Sequence, residues 1–458
     1  MNTAPHNAPG PRAWPLLGNL PELRGDILQV LLRMHRRHGD LFGFRTPGQQ
    51  FYAINHPDYA RHVLVTQRDN YIKDGRSNRQ IRLLAGQSLL TDNAEPWHQK
   101  RDLLQNTFKV DQVRQFAPLV ADEAQTLLQS WRQSNEPIDM HQQMMHITYQ
   151  VIGRALFSED MTQSADEVAQ VMHVTLHHLY QRIFGLAFAL SIPTIGNLRF
   201  LKARRRLHAL VDGIIARRLN ARHDQQHTAT SEADLLARMI AALNSTQQLA
   251  EQSHSVFSPT WLRDEVVTLL LAGHETTANA LTWFWYLLAE HPEVEQQVYA
   301  EIQQYSNEPL NNPALLSRHE YTQRVLLETL RLYPPIWSIE RSPLKEDQIA
   351  GYRIEAGATV FITIYGLHRH PDFWPNPERF DPERFVDPKR AQDAYMPFGL
   401  GPRMCLGKNF AMQEALLIII SLLRQCRPQR VEQSPVVARA GITLRVRDPL
   451  RMRLQWRD

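Results

Sequence analysis

Between about residue 95 and residue 330 the chain is an almost unbroken succession of helix-length segments, and this limits its fold more than any other feature. Apolar residues there follow a helical period, with stops at Gly, Pro or polar stretches. The pattern predicts helices over 96–108, 113–130, 140–157, 165–188, 197–222, 232–243, 259–290, 292–305 and 321–332. Polar residues 223–231 read as an exposed loop. Ahead of this block, Pro-rich residues 9–20 read as extended. A helix over 27–38, strands over 41–46 and 50–54 around Pro47-Gly48, and a helix over 57–65 follow. Beyond Tyr333 come short β-prone runs at 352–354 and 359–364. A long irregular segment, 368–407, precedes an apolar helix over 406–424. Alternation at Ile442, Leu444 and Val446, and at Met452 and Leu454, predicts a closing hairpin. No repeat or linker divides the chain. The expectation is a mainly α architecture with a small β portion, one domain over 1–458. Its β-rich parts fall near 40–55, 350–365 and 435–458.

Composition narrows the function. Of 458 residues, 43% are hydrophobic and 21% charged, which excludes a disordered chain. A net charge of +4 does not argue for nucleic acid. The two cysteines, Cys405 and Cys426, exclude a disulfide framework and a four-ligand zinc site. The N-terminus has no apolar run, and runs 266–272 and 280–289 fall short of the ~18–20 residues of a membrane span. A cytoplasmic protein without a stable membrane anchor is expected.

The most informative segment is Phe398-Gly399-Leu400-Gly401-Pro402-Arg403-Met404-Cys405-Leu406-Gly407. Its glycines and proline force a tight turn. Cys405 is expected at the start of the following helix, where free N–H groups and the helix dipole favour a thiolate. Such a thiolate is a good ligand for a soft metal. An isolated cysteine is more often a buried structural residue. The glycine turn and Arg403 reverse those odds for Cys405, whereas Cys426 reads as ordinary core.

This segment resembles the haem-ligand loop of the cytochrome P-450 family, Phe-x-x-Gly-x-Arg-x-Cys-x-Gly, at Phe398, Gly401, Arg403, Cys405 and Gly407. The resemblance spans nearly the whole chain. It implies the family fold, a triangular prism with a long central helix over haem b, and Cys405 as the axial iron ligand.

Other segments carry the same resemblance. Glu328 and Arg331 lie three residues apart on a helix, a spacing that by itself is usually a surface ion pair. With Arg384 from Phe380-Asp381-Pro382-Glu383-Arg384-Phe385 they resemble the family's buried Glu-x-x-Arg network behind the haem, a structural set. Leu271-Ala272-Gly273-His274-Glu275-Thr276-Thr277 places glycine, acid and threonines inside an apolar helix, where local rules are broken. Without the resemblance it reads equally as a kinked core helix. It resembles the family's Ala-Gly-x-Asp/Glu-Thr signature. The likeness implies room for dioxygen at Gly273, proton delivery by Glu275 and oxygen activation by Thr276. His274 is expected to turn away from the iron. Trp97 and Arg101, at i and i+4, match a family pattern for haem propionate, with Arg341 and Arg403 as further partners. His368 and His370 receive no role.

The resemblance implies insertion of one oxygen atom from O2 into a hydrophobic small molecule, by hydroxylation or epoxidation. No flavin or dinucleotide fingerprint is present, so NAD(P)H-derived electrons would arrive through a separate ferredoxin or flavodoxin with its reductase. A basic patch of Lys100, Lys109 and Lys408 is expected to steer that carrier; ordinary surface lysines are the plainer reading. Family position places Ile81, Leu83 and Leu90, in the loop before Trp97, in the substrate pocket. Leu269, Ala272, Thr277, Ile336, Trp337 and Ile442 join them there. Apolar residues 183–195 would roof it. The basic run 202–222 reads as a solvated helix face. Alternatives are a haem-thiolate isomerase or dehydratase, a peroxide-driven oxygenase, and a non-catalytic haem protein.

Overall fold

The computed structural model describes residues 6–133, 135–158, 162–184, 190–223, 234–241, 259–310, 312, 315–387 and 393–457. Helices dominate, and six of them position the site. They are α1 (Arg76–Ala85), α2 (Ala94–Gln105), α3 (Met140–Phe157), α4 (Pro259–Glu290), α5 (Glu320–Leu332) and α6 (Lys408–Gln425). The long α4 runs through the main core, with Val266, Val267, Ala278, Leu281, Trp283 and Phe284 buried along it. Its most extensive partner is α3, and α6 also packs on it. Burial of side chains of this size contributes about 1.5–3 kcal/mol each, so α4 is held by packing rather than by propensity.

A five-stranded sheet lies apart from that core. Its order is Leu41–Thr46, Gln49–Ile54, Thr359–Ile362, Ile339–Pro343, Tyr71–Ile72. The first two strands form the expected hairpin, paired Leu41 to Ile54 through Thr46 to Gln49, with Gly48 at φ 78° in the two-residue turn. The next strand joins in parallel, Ile54 opposite Ile362, and Arg341 sits opposite Val360 in the fourth. Nearby Ile354, Val360, Ile362, Leu367 and Trp374 form a second core.

Several local expectations are corrected. The helix after His56 ends at Arg61 and continues as a wider turn, His62–Thr66. The helix expected over 113–130 is two, Val110–Arg114 and Ala117–Arg132, the second starting beside Pro118. Proline fits the first turn of a helix, not its interior. The tail does not close on itself. Leu444–Val446 pairs with Ala438–Ala440, while Arg451–Trp456 pairs with Cys426–Arg430 and Ile138–Asp139. The basic run is only partly solvated, since Arg204 donates to the Leu83 carbonyl and Arg218 pairs with buried Asp234. Expected features at 185–189, 224–233 and 242–243 lie outside the described residues. Among those described, no helix is long and apolar enough to cross a membrane.

Candidate haem-thiolate site

The cysteine loop is built from close contacts. Gly401 has φ +75°, and a Cβ there would lie 2.4 Å from the Leu64 carbonyl oxygen, so only glycine fits. Residues Gly401–Arg403 form one tight turn, and the Cys405 N–H donates to the Phe398 carbonyl at 2.8 Å. α6 begins at Lys408, so Cys405 precedes the helix instead of opening it. Burial pushes its thiol up from the ordinary value. A hydrogen bond from Gly407 and the charges of Arg101 and Lys408 oppose that rise. Metal ligation favours the thiolate further, because only the deprotonated sulfur binds the ion. Crowded as it is, the cysteine keeps an accessible face.

Three cations meet near this loop, Arg341 buried and Lys73 and Arg403 half-buried. Lys73 is held well below its usual value, first by burial and then by Arg341 and Arg403. Burial and Arg403 push Arg341 down to about 9, and burial pushes Arg403 down to about 10. Arg341 donates to the Glu340 carbonyl, Lys73 to the Leu90 carbonyl at 2.8 Å, and Arg403 to Asn93 at 3.3 Å. The Arg403 guanidinium also stacks over Trp97, 4.3 Å from its ring centroid. Its Nη1 is buried without a partner. Partly desolvated cations gathered in this way are costly unless an anion joins them, and the two carboxylates of a haem fit that demand. Lys73 was not legible in the sequence, because nothing linear marks a lysine as facing other cations. Arg101, expected to share one anion with Trp97, has one donor engaged within the loop. It donates to the Met404 carbonyl at 3.0 Å, on the Cys405 side.

On α4, residues 269, 272, 273 and 276 share one face at helical spacing. They remain partly or largely accessible, while the helix around them is buried. Thr276 donates to the Ala272 carbonyl at 2.6 Å. Glu275 is buried and accepts from Thr443 at 2.7 Å, which in turn accepts from Asn279. Burial raises its carboxyl above the usual range, against Thr443 and Arg445. His274 turns to α3, 3.0 Å from the Met145 carbonyl, about 200° around the helix from Thr276. A Cβ on Gly273 would meet Ile152 of α3 at 3.0 Å, so the two helices approach closely at this glycine. One pocket reading is corrected here. Thr277 faces the buried Glu414 carboxyl of α6, away from any pocket.

The other pocket candidates divide. Ile81, Leu90 and Ile336 are half-buried and join none of the three cores; Leu83, Leu269 and Ile442 are half-buried against the main core. Ile81 and Leu83 lie on α1, not in a loop. Trp337 is 2% exposed, packed beside Phe361 with its indole donating to Gly441, and cannot line a pocket. Lys100 is 1% exposed and ion-paired with Asp92, so it leaves the proposed carrier surface, where Lys109 and Lys408 are exposed.

Behind the loop, Glu328 and Arg331 are fully buried, and Arg384 Nε stands 3.4 Å from Glu328 Oε1. His368 ties this network to the cysteine segment. Its Nδ1 donates to the Arg331 carbonyl at 3.1 Å, and its Nε2 accepts from the Met396 N–H at 3.0 Å. Sequence reasoning gave His368 no role.

The family model for cytochrome P-450 matches residues 8–446. Cyclooctatin synthase of Streptomyces melanosporofaciens is 32% identical over 450 residues, 96% of this chain and 94% of its own length. Cyclooctat-9-en-7-ol 5-monooxygenase from the same organism is 31% identical, over 93% and 92%. Pentalenene oxygenase of Streptomyces avermitilis is 28% identical, over 91% and 90%. The chain belongs to the cytochrome P-450 family: it is a monooxygenase with haem iron as cofactor.

Proposed function

We propose that this monooxygenase hydroxylates or epoxidises a lipophilic, terpenoid-like molecule, in the cytoplasm, with NAD(P)H-derived electrons from a separate ferredoxin or flavodoxin and its reductase. The observation that carries the reading is the accessible stripe on α4. It offers Leu269, Ala272 and a single hydroxyl, Thr276, from an otherwise buried helix. Ile81, Leu90 and Ile336 supply further apolar surface, which suits an oxygen-poor ligand. The names of two relatives point the same way, to cyclooctat-9-en-7-ol and pentalenene.

Haem iron with a thiolate ligand supplies O–O bond cleavage when bound. Cys405 is the residue that would hold the iron. Lys73, Arg341, Arg403 and the Trp97 indole would hold the propionates. Thr276 holds a hydroxyl proton at the accessible face of α4, donated to the Ala272 carbonyl, and would be the residue that holds or moves a proton at that face. Glu275, one residue away, has its proton affinity raised by burial and would serve as a second proton-handling group. Lys408, with Arg101 beside it, presents positive charge on the Cys405 side and would favour an acidic electron carrier. The test is a panel of terpenoid hydrocarbons and alcohols titrated against the holoprotein. A high-spin Soret shift followed by oxygenated product supports the reading. Binding restricted to polar ligands overturns it.

A further inference from the structure

Residues 86–93, between α1 and α2, are held by side chains at several polar backbone atoms, two of them by carboxylates of α4. Asp264 Oδ2 accepts from the Gln87 N–H at 3.0 Å, and Glu265 Oε1 from the Leu89 N–H at 2.7 Å. The Lys100 ammonium donates to the Gln87 carbonyl at 2.7 Å and to Asp92 Oδ2 at 2.6 Å, and lies 3.9 Å from Glu265. Lys73 takes the Leu90 carbonyl, and Asn78 and Arg82 both take the Thr91 carbonyl. Thr91 itself bridges Ser88 and Gly86. The side chains of Lys100 and Glu265 are 1% and 0% exposed. Burial pushes the Glu265 carboxyl up to about 8, so near neutrality one cation, one anion and one neutral acid share the interior. Such an arrangement is costly to assemble and strongly destabilised by removing one member. Glu265 also falls on the α4 face that carries Leu269, Ala272 and Thr276, at i, i+4, i+7 and i+11.

We infer that Lys100, Asp92 and Glu265, with Asp264, are positioning residues that lock residues 86–93 as a fixed wall of the substrate pocket. This deepens the proposed monooxygenase reading and rests on it. The wall brings Leu89 and Leu90 to a set place, so that bulky ligands must enter elsewhere or wait for the lock to open. Gly86 seals the outer end. Its φ is +57°, and a Cβ would lie 1.9 Å from Asp264 Oδ2, displacing the carboxylate that holds Gln87.

The test compares holoprotein variants by amide hydrogen exchange across residues 86–93. Stopped-flow Soret shifts with imidazole and with a bulky triaryl imidazole add a second reading. Lys100→Met and Glu265→Leu act from inside the lock, and Gly86→Ala from outside. Each is expected to speed exchange at Gln87 and Leu89. Each should also raise association of the bulky azole by about tenfold, the effect of one lost hydrogen bond on an opening equilibrium. Imidazole, small enough to pass, should bind as before. Glu265→Gln keeps the acceptor for Leu89 and should restore wild-type behaviour. The inference is overturned if exchange and bulky-azole rates stay unchanged in Lys100→Met and Gly86→Ala, or if Glu265→Gln opens the loop as fully as Glu265→Leu. Should the interior variants fail to retain haem, Gly86→Ala decides alone. Failure of the haem reading is distinguishable, because the wild-type protein would then give no azole shift.

Discussion

Arg331 and Glu328 close on each other through two parallel hydrogen bonds, 2.7 Å from Nε to Oε2 and 2.8 Å from Nη2 to Oε1, with neither side chain reaching solvent. The remaining Arg331 donors go to the carbonyls of His368, Pro377 and Arg379, and Glu328 accepts the Asp381 N–H. All five Arg331 donors are therefore used. The pair fixes the chain leading to Met396 and the cysteine loop. Glu328→Ala would strand Arg331 in the interior and should cost about 3–5 kcal/mol. Poor holoprotein yield and a lower urea midpoint are expected. An unchanged midpoint would refute the structural role.

Ligation through sulfur is tested by the reduced carbon monoxide complex. The wild-type protein should give the red-shifted band of a thiolate-ligated haem. Cys405→His should retain haem in part, on the cations that face its propionates, but lose that band. A band unmoved by the substitution would remove Cys405 from the iron.

Thr276 separates chemistry from stability. Its hydroxyl is satisfied by the Ala272 carbonyl of its own helix and is partly accessible, so Thr276→Ala should shift stability by no more than about 1 kcal/mol. Product formed per reductant consumed is expected to fall severalfold, with reductant consumption continuing. Coupling equal to wild type would take Thr276 out of proton handling.

The parts legible in the sequence were those with a local signature. The helix Pro259–Glu290 and the hairpin at Pro47-Gly48 came from period and turn chemistry, and Cys405 and Thr276 from contiguous motifs. The helix Arg76–Ala85 was missed because its first five residues, Arg-Ser-Asn-Arg-Gln, show no apolar stripe. The tail failed for another reason. Alternation predicts a strand, but its partner is set by tertiary contact, and Met452 found Arg430 and Ile138 rather than Leu444. Lys100 was read as a surface residue because lysines are seldom fully buried unless paired. It is buried here in the lock with Asp92, while half-buried Lys73, facing Arg341 and Arg403, carries no mark in the linear sequence.

Three buried histidines set the acid limit. His35 and His274 are lowered to about 4 and His368 to about 3, each chiefly by burial. Their unfolded forms titrate near 6.5, so below that pH the unfolded chain binds protons the folded chain refuses. Stability is thus present above about 6.5 and lost as pH falls toward 4, at up to about 1.4 kcal/mol per pH unit for each histidine. Urea unfolding at pH 7.5 and 5.5 should show this slope. His368→Gln should reduce it by one proton. A slope unchanged in that variant would mean the folded state accepts the proton at His368.

The cation cluster gives a prediction of opposite sign in two states of one protein. Without a dianion, burial holds Lys73, Arg341 and Arg403 below their ordinary values, and like-charge repulsion adds to it at Lys73 and Arg341. Lys73→Met removes one charge from that repulsion and keeps the aliphatic stem. The haem-free protein should therefore become more stable. With haem bound, the same charge pairs with a propionate, and its loss should speed haem transfer to an acceptor protein severalfold. Thermal unfolding of haem-free variant and wild type, read beside haem transfer rates, separates the two effects. If Lys73→Met destabilises the haem-free form, or leaves haem transfer unchanged, the three cations are not a propionate site.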